Sequence, residues 1–150
     1  MSAVDLSTHP GHLARRLQQA HTLLWNTHVS AETTSPQFAV LNAVAGQDDL
    51  DQRMVGDLIG LDRSTTAEIV TRLCARGLLL RVRDSRDGRR NLLRLTEEGT
   101  ELHRQTARRA TRMNKVFLAP LEPGEQRILL DLMRRVVTAV DGQRDPDIVN

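Results

Sequence analysis

The most chemically informative part of the sequence is an arginine-rich segment. Seven arginines and two acidic residues lie between Arg76 and Arg94, which gives this segment a charge of +5. The whole chain carries only +2, so the remainder is net negative. Guanidinium groups bind phosphates and the acceptor edges of bases, and a positive patch on a nearly neutral body is typical of nucleic-acid binders. The segment therefore predicts contact with DNA.

The centre of this segment has the composition of a turn. Asp87 is placed to hold the guanidinium of Arg89 in a bidentate fork, so that the charge is aimed before a partner arrives. Arg86 and Arg90 flank it and can follow phosphates or enter a narrow minor groove. The alternative is a charged turn that keeps a hairpin soluble, and the two interpretations are compatible.

A polar helix face precedes the arginine-rich segment. The helix that starts after Asp62 is expected to bury one side and to expose hydroxyls, a carboxylate and guanidinium groups, which read base edges and phosphates. Its predicted contact residues are Arg63, Ser64, Thr65, Glu68 and Arg72. The alternative is a solvated face with an N-terminal capping pattern. The hairpin beside it favours DNA contact.

A second set of polar and aromatic residues lies near the start of the chain. Arg15, Gln18, His21 and Trp25 fall within about 120° of one another on a helix, beside an apolar stripe. An arginine would pair with a carboxylate, a histidine would bond a phenolic hydroxyl, and apolar neighbours would enclose a ring. The set therefore suits a flat aromatic acid. The alternative is that Trp25 is core and the polar residues are surface.

Other kinds of site find little support. The five histidines are not joined by carboxylates or cysteines at ligand spacing, so no metal site and no cofactor are predicted. Cys74 is the only cysteine; it could act as a redox switch, but without a resolving partner it is more typical of a packing residue. The sequence has no nucleophile elbow, phosphate loop or dinucleotide fingerprint, which argues against an enzyme.

The remaining sequence-wide features fit one domain of 1–150 in a reducing compartment. We find no apolar run long enough for a membrane span and no signal-peptide pattern, so no membrane partner and a cytoplasmic location are expected.

The order of elements predicts how these residues are positioned. Apolar spacing and capping residues predict helices over 12–29, from Ser35 as N-cap to Gly46, from 51 or 52 to Gly60, from Asp62 to about 76, 96–118 and 122–140. Two strands, 78–83 and 91–95, enclose the turn. The tail 141–150 is expected to be loose.

This order predicts a mainly α fold with a small β wing. Residues 34–96 form a winged helix-turn-helix, and residues 1–33 and 97–150 supply dimerisation helices. Ile128, Leu132 and Val136 belong to an apolar stripe that is wider than one helix needs on its own chain, which favours a two-fold homodimer. The alternative is a monomer with a helical cap.

The sequence resembles the MarR family of bacterial transcriptional regulators along nearly its whole length. The most specific matches are LTEEG after the second strand, RGLL after the predicted recognition helix, and Asp87-Gly88-Arg89 at the wing tip. The resemblance implies a homodimer that places two winged helices on a near-palindromic operator. It also implies release of DNA when a small ligand binds between the dimerisation and DNA-binding parts.

Three other segments, THPGHLARRLQQAHTLLWN, TSPQFAVLNAV and NKVFLAPL, resemble the family branch that represses aromatic-acid catabolism in response to protocatechuate. This closer resemblance favours the ligand interpretation of the first helix, and Gly11 is also assigned to the site. Met113 and Asn114 are expected to form its opposite wall, because the long fifth helix should pack near the first. The alternative is a MarR-like or architectural DNA binder without a phenolic ligand, either redox-controlled or constitutive.

Overall fold

The protein is mainly helical, as a computed structural model covering residues 4–142 shows. The predicted tail at 141–150 lies outside the described residues except for its first two. A 3-10 turn, Leu6–Thr8, comes first. Along 4–142 the larger elements are α1 (Pro10–His28), α2 (Ser35–Gly46), α3 (Gln52–Ile59), α4 (Arg63–Ala75), β1 (Leu79–Arg83), β2 (Asn91–Leu95), α5 (Glu97–Leu118) and α6 (Pro123–Asp141).

The helix-turn-helix is formed by α3 and α4. The side chain of Asp51 accepts the backbone N–H of Met54 at the start of α3, and Gly60 ends the helix with φ of 71°, a left-handed conformation that favours glycine. Asp62 then caps α4. The residues that α4 buries are those that the periodicity predicts: Thr66, Ile69, Val70 and Leu73. The opposite face of α4 is thereby free for a partner.

The predicted cap of α2 is wrong by one residue. Thr34, not Ser35, has the extended backbone of an N-cap, and its hydroxyl accepts the backbone N–H of Gln37. The Gln37 side chain returns the interaction by accepting the backbone N–H of Thr34, which completes a capping box. Ser35 is the first helical residue and Pro36 the second. A proline is tolerated in the first turn because its missing N–H would have no partner within the helix there.

The wing is an antiparallel pair of strands. Leu79 pairs with Leu95 at the base and Arg83 with Asn91 near the tip. Asp51 forms an additional bridge with Leu92, and the backbone N–H of Leu93 donates to the carbonyl of Leu50 at 2.8 Å. The segment before α3 is therefore attached to the wing by its backbone.

The LTEEG motif joins the wing to α5 through close backbone packing. The hydroxyl of Thr96 donates to the carbonyl of Gly77 at 2.6 Å and accepts the backbone N–H of Gly99 at 2.9 Å. A Cβ at Gly99 would lie 2.0 Å from the carbonyl oxygen of Leu78. Only glycine fits there, so steric crowding explains why the LTEEG motif ends in glycine.

The chain divides into two compact units after Met113. In the first, the core joins α2, α3, α4 and the wing, and its fully buried members include Val40, Leu41, Val55, Val70 and Leu93. The sequence-predicted boundaries at 34 and 96 stay a prediction.

The second unit contains the end of α5 and all of α6, which is strongly amphipathic in sequence. Its exposed apolar side chains are Ile128, Leu130, Leu132, Met133, Val136, Val137 and Val140. Such a continuous apolar stripe is unusual on a surface that meets only water. No helix within residues 4–142 combines the length and the hydropathy that crossing a bilayer requires.

Candidate functional site

The exposed face of α4 is organised by its own first turn. Asp62 accepts the backbone N–H of Thr65 at 2.8 Å and the Thr65 hydroxyl at 2.7 Å, and the former bond is the main cause that lowers the pKa of Asp62. Thr65 is therefore held by the cap, and its hydroxyl proton is already donated. Arg63 and Ser64 are exposed beside it and remain the better placed of the predicted contacts.

One turn further along α4, Glu68 and Arg72 form an ion pair. Nη2 of Arg72 lies 2.5 Å from Oε1 of Glu68, and both side chains are more than half exposed. The pair follows the i, i+4 spacing of helix neighbours. The two groups are therefore presented together, as a linked acceptor and donor, on the face that the sequence predicts to read DNA.

The wing tip corrects one sequence prediction. Asp87 does not hold the guanidinium of Arg89; its Oδ1 accepts the backbone N–H of Arg89 at 3.1 Å instead. The carbonyl of Asp87 also accepts the backbone N–H of Arg90 at 2.9 Å. Short aspartate side chains bond the backbone two residues on because this closes a tight turn. Asp87 thus shapes the tip, and the exposed Arg89 side chain projects from it without that clamp.

Two other wing arginines bind a carboxylate in the loop between α2 and α3. Nη2 of Arg86 lies 2.7 Å from Oδ2 of Asp49, and Nη2 of Arg94 lies 2.9 Å from Oδ1 of the same residue. These hydrogen bonds, that of Arg94 first, hold the pKa of Asp49 below its usual value. Asp49 adopts φ of 60°, a conformation that aspartate tolerates better than most residues.

Arg90 is held in the same way. Its Nη2 lies 3.2 Å from Asp51, and its Nη1 lies 3.6 Å from Asp84. The Asp84 side chain is only 3% exposed and accepts the backbone N–H of Arg86 at 2.9 Å, which lowers its pKa. Three of the wing arginines are therefore neutralised in part by three aspartates. The charge of +5 overstates the free positive charge, because Asp49 and Asp51 lie outside the counted segment.

The predicted ligand residues of the first helix are graded in burial along α1. Gly11, Arg15 and Gln18 are exposed, His21 is half-buried and Trp25 is buried. Nη2 of Arg15 lies 2.9 Å from Nδ1 of His12, a residue outside the predicted ligand-binding set. An exposed guanidinium and a buried indole on one helix face match the polarity of an aromatic acid.

Aromatic rings extend inward from this helix. The ring centroids of His21 and Trp25 are 6.0 Å apart, those of Trp25 and Phe38 are 5.5 Å apart, and Phe38 stacks on His103 at 5.6 Å. His103 also lies 2.9 Å from Oδ1 of Asn42. Burial lowers the pKa of His21 and of His103, which favours the neutral imidazole that can hydrogen-bond a phenol.

Sequence reasoning missed Phe38 and His103, because neither shares a helix with Trp25. The scarcity of aromatic residues was the one available signal, since the chain has two phenylalanines and one tryptophan.

The opposite wall expected from Met113 and Asn114 stays a prediction. Met113 is 1% exposed and belongs to the first unit, whereas Asn114 is exposed and begins the second. The approach of Asn114 to the first helix stays a prediction.

The chain is similar to known regulators of transcription. Residues 32–90 match the model of the MarR family. The crystal structure of the PcaV transcriptional regulator from Streptomyces coelicolor, in complex with its natural ligand, is 66% identical with a TM-score of 0.89, covering 93% of this chain and 99% of that one.

Two further proteins are more distant. The HTH-type transcriptional repressor NicR of Pseudomonas putida is 29% identical, covering 89% of this chain and 85% of NicR. The structure of Bordetella bronchiseptica BpsR, whose DNA binding is regulated by 6-hydroxynicotinic acid, is 28% identical with a TM-score of 0.85, covering 91% and 98% of the two chains. These relatives are regulators of transcription, not enzymes. With its winged helix and its similarity to PcaV, this chain belongs to the MarR family and is a transcriptional repressor.

Proposed function

We propose that the protein binds a near-palindromic operator as a homodimer and leaves it when a phenolic carboxylic acid such as protocatechuate binds at the first helix. The regulated genes would then serve aromatic-acid catabolism. The observation that carries this proposal is the graded face of α1, where exposed Arg15, half-buried His21 and buried Trp25 follow one another over three turns. The arrangement supplies a cation for the carboxylate, a neutral imidazole for the hydroxyl and an indole for the ring of a hydroxybenzoate.

Each group of the ligand has a proposed partner. Arg15 would bind the carboxylate, because a guanidinium is always charged and its planar donors match two oxygen atoms. His21 would bind a ring hydroxyl, and Trp25 would form a wall. Gly11, Gln18, Met113 and Asn114 complete the proposed site. The 6-hydroxynicotinic acid of BpsR is also a hydroxylated aromatic carboxylic acid, which supports the ligand class.

The DNA side of the proposal rests on α4 and the wing. Arg63, Ser64, Glu68 and Arg72 would enter the major groove, with Thr65 securing the start of the helix. Arg89 would reach the flanking minor groove or backbone, and Arg86, Asp87 and Arg90 would support it. Release requires that the ligand prefer a dimer whose two recognition helices no longer match major grooves about 34 Å apart.

Titration calorimetry with protocatechuate, 4-hydroxybenzoate, benzoate and catechol tests the ligand assignment. The wild type should bind the hydroxybenzoates best and catechol worst, because catechol lacks the carboxylate. Arg15→Ala should abolish binding of the acids. Arg16→Ala is the matched control, since Arg16 is an exposed neighbour on the same helix that points about 100° away. Equal binding by wild type and Arg15→Ala would refute the site.

Sedimentation velocity tests the dimer. We expect a homodimer at micromolar concentration, formed through the first and last helices, whose exposed apolar residues include Leu13, Leu17, Ile128, Leu132 and Val136. Ile128→Glu with Val136→Glu should give a monomer with weak operator affinity. A wild-type monomer would remove the argument for a palindromic site.

A further inference from the structure

One loop residue bonds both the proposed ligand site and the recognition helix. The indole N–H of Trp25 donates to the carbonyl oxygen of Thr33 at 2.8 Å, and both residues are buried, with 4% and 1% exposure. Thr33 lies between α1 and α2, eight residues beyond Trp25. The wall of the proposed ligand site is thus fixed to this loop by a buried hydrogen bond.

The side-chain oxygen of Thr33 bonds the recognition helix. Its hydroxyl accepts a hydrogen bond from Nη2 of Arg76 at 3.1 Å, across 43 residues of sequence. Arg76 is the C-cap of α4, and its backbone N–H bonds the carbonyl of Arg72. Nη1 of Arg76 also reaches the carbonyl of Glu32 at 3.5 Å. The last turn of the recognition helix is therefore tied to the loop that Trp25 holds.

The loop itself is internally bonded. Oγ of Ser30 accepts the backbone N–H groups of Glu32 and Thr33 at 3.2 and 2.9 Å, and Thr34 closes the capping box of α2. A loop with these bonds has little freedom to absorb a shift of Trp25.

We propose that Thr33 and Arg76 are positioning residues that couple ligand binding at Trp25 to the placement of α4. This inference rests on the proposed function, because it assumes that an aromatic acid displaces Trp25. Neither residue contacts ligand or DNA in this scheme. Ligand-driven motion of the indole changes the bond to the Thr33 carbonyl, and the Thr33 hydroxyl then moves the Arg76 end of the recognition helix. Coupling of this kind is a free energy shared between two sites.

The test separates coupling from binding. Full-length wild type, Thr33→Val, Thr33→Ser and Arg76→Gln are compared by three measurements: operator affinity alone, protocatechuate affinity of the DNA-free protein, and operator affinity with saturating protocatechuate. Thr33→Val and Arg76→Gln should keep the first two within about threefold. The ratio of operator affinities without and with protocatechuate should fall at least about fivefold, a typical size of allosteric coupling. Thr33→Ser, which keeps the hydroxyl, should restore the ratio.

The double variant Thr33→Val with Arg76→Gln sharpens the test. Its release ratio should equal that of either single variant, because both changes break one connection. Losses that add, or an unchanged ratio in the single variants, would overturn the inference. A wild type that protocatechuate does not release would instead overturn the proposed function. If thermal unfolding shows that Thr33→Val does not fold, Arg76→Gln decides the question, since its side chain is exposed.

Discussion

The polar groups of the recognition helix bind one another within two turns, whereas the wing arginines also bind carboxylates far away in the sequence. Thr65 pairs with Asp62, three residues back, and Arg72 with Glu68, four residues back. Arg86, by contrast, pairs with Asp49 across 37 residues. Local contacts orient the polar side chains of the helix, whereas tertiary contacts orient those of the wing. A charge count along the sequence therefore describes the recognition helix better than it describes the wing.

The difference has a consequence for DNA binding. An arginine that is already paired with a carboxylate exchanges one partner for another when it meets a phosphate, and it releases fewer counterions. In the wing, Arg89 has its backbone in the turn and its side chain exposed, while Arg86 reaches both Asp49 and Asp84. We therefore expect these two neighbouring arginines to contribute unequally.

The largest effect is expected for Arg89→Ala. The variant should lose about 1–3 kcal/mol of operator binding free energy and reduce the slope of log K against log salt by about 1. The matched control is Arg86→Ala, whose slope should change by less than half as much. Fluorescence anisotropy over a range of salt concentrations measures both. Equal slope changes in the two variants would contradict the ranking, and unchanged operator affinity of Arg89→Ala would remove Arg89 from the interface.

Much of the fold could be predicted from the sequence, because its signals are local. Asp62 and Gly60 mark the helix-turn-helix by capping and by a left-handed turn, and the buried residues of α4 follow from periodicity. The N-cap of α2 shows the limit of this prediction. The sequence predicted Ser35 and the structure has Thr34, because either hydroxyl residue can cap a helix and only the backbone conformation distinguishes them.

The pairings of the site could not be predicted, because they depend on tertiary contacts. Nothing in the sequence near Asp49 distinguishes it from its neighbour Asp48, yet Asp49 binds two wing arginines. The same holds for Thr33, whose distant partners Trp25 and Arg76 lie 8 residues before it and 43 residues after it. The local spacing around Asp87 and Arg89 even favoured the wrong bond, because a side-chain fork and a backbone turn use the same residues.

A smaller effect is expected for Asp49→Asn. The change keeps the shape of the side chain but removes the charge that holds Arg86 and Arg94, so these arginines become available to phosphates. Affinity for random-sequence DNA should rise a few-fold and its salt slope should steepen by about 1. Operator specificity should fall accordingly, as measured by competition between the two DNAs.

Asp48→Asn is the matched control for this variant, because it removes the same charge from an exposed neighbouring residue. Equal effects would attribute the change to net charge alone. A pH titration cannot replace the substitution. The pKa of Asp49 is held below its usual value by Arg94 and Arg86, so the pairs persist through the neutral range and are lost only as the pH falls through that lowered pKa.

The smallest effect is expected for Glu68→Gln, which breaks the ion pair between Glu68 and Arg72 on the recognition helix. An exposed i, i+4 pair stabilises a helix by about 0.3–0.5 kcal/mol, so the free energy of unfolding in urea should change by no more than about 0.5 kcal/mol. The substitution also removes a carboxylate that can accept from the cytosine amino group, and it frees Arg72. Selection from a randomised operator library should therefore show relaxed preference at one base pair of each half-site. A loss of more than about 1 kcal/mol in stability would mean that the pair holds the helix itself, and the contrast between a locally prepared helix and a wing prepared by the fold would fail.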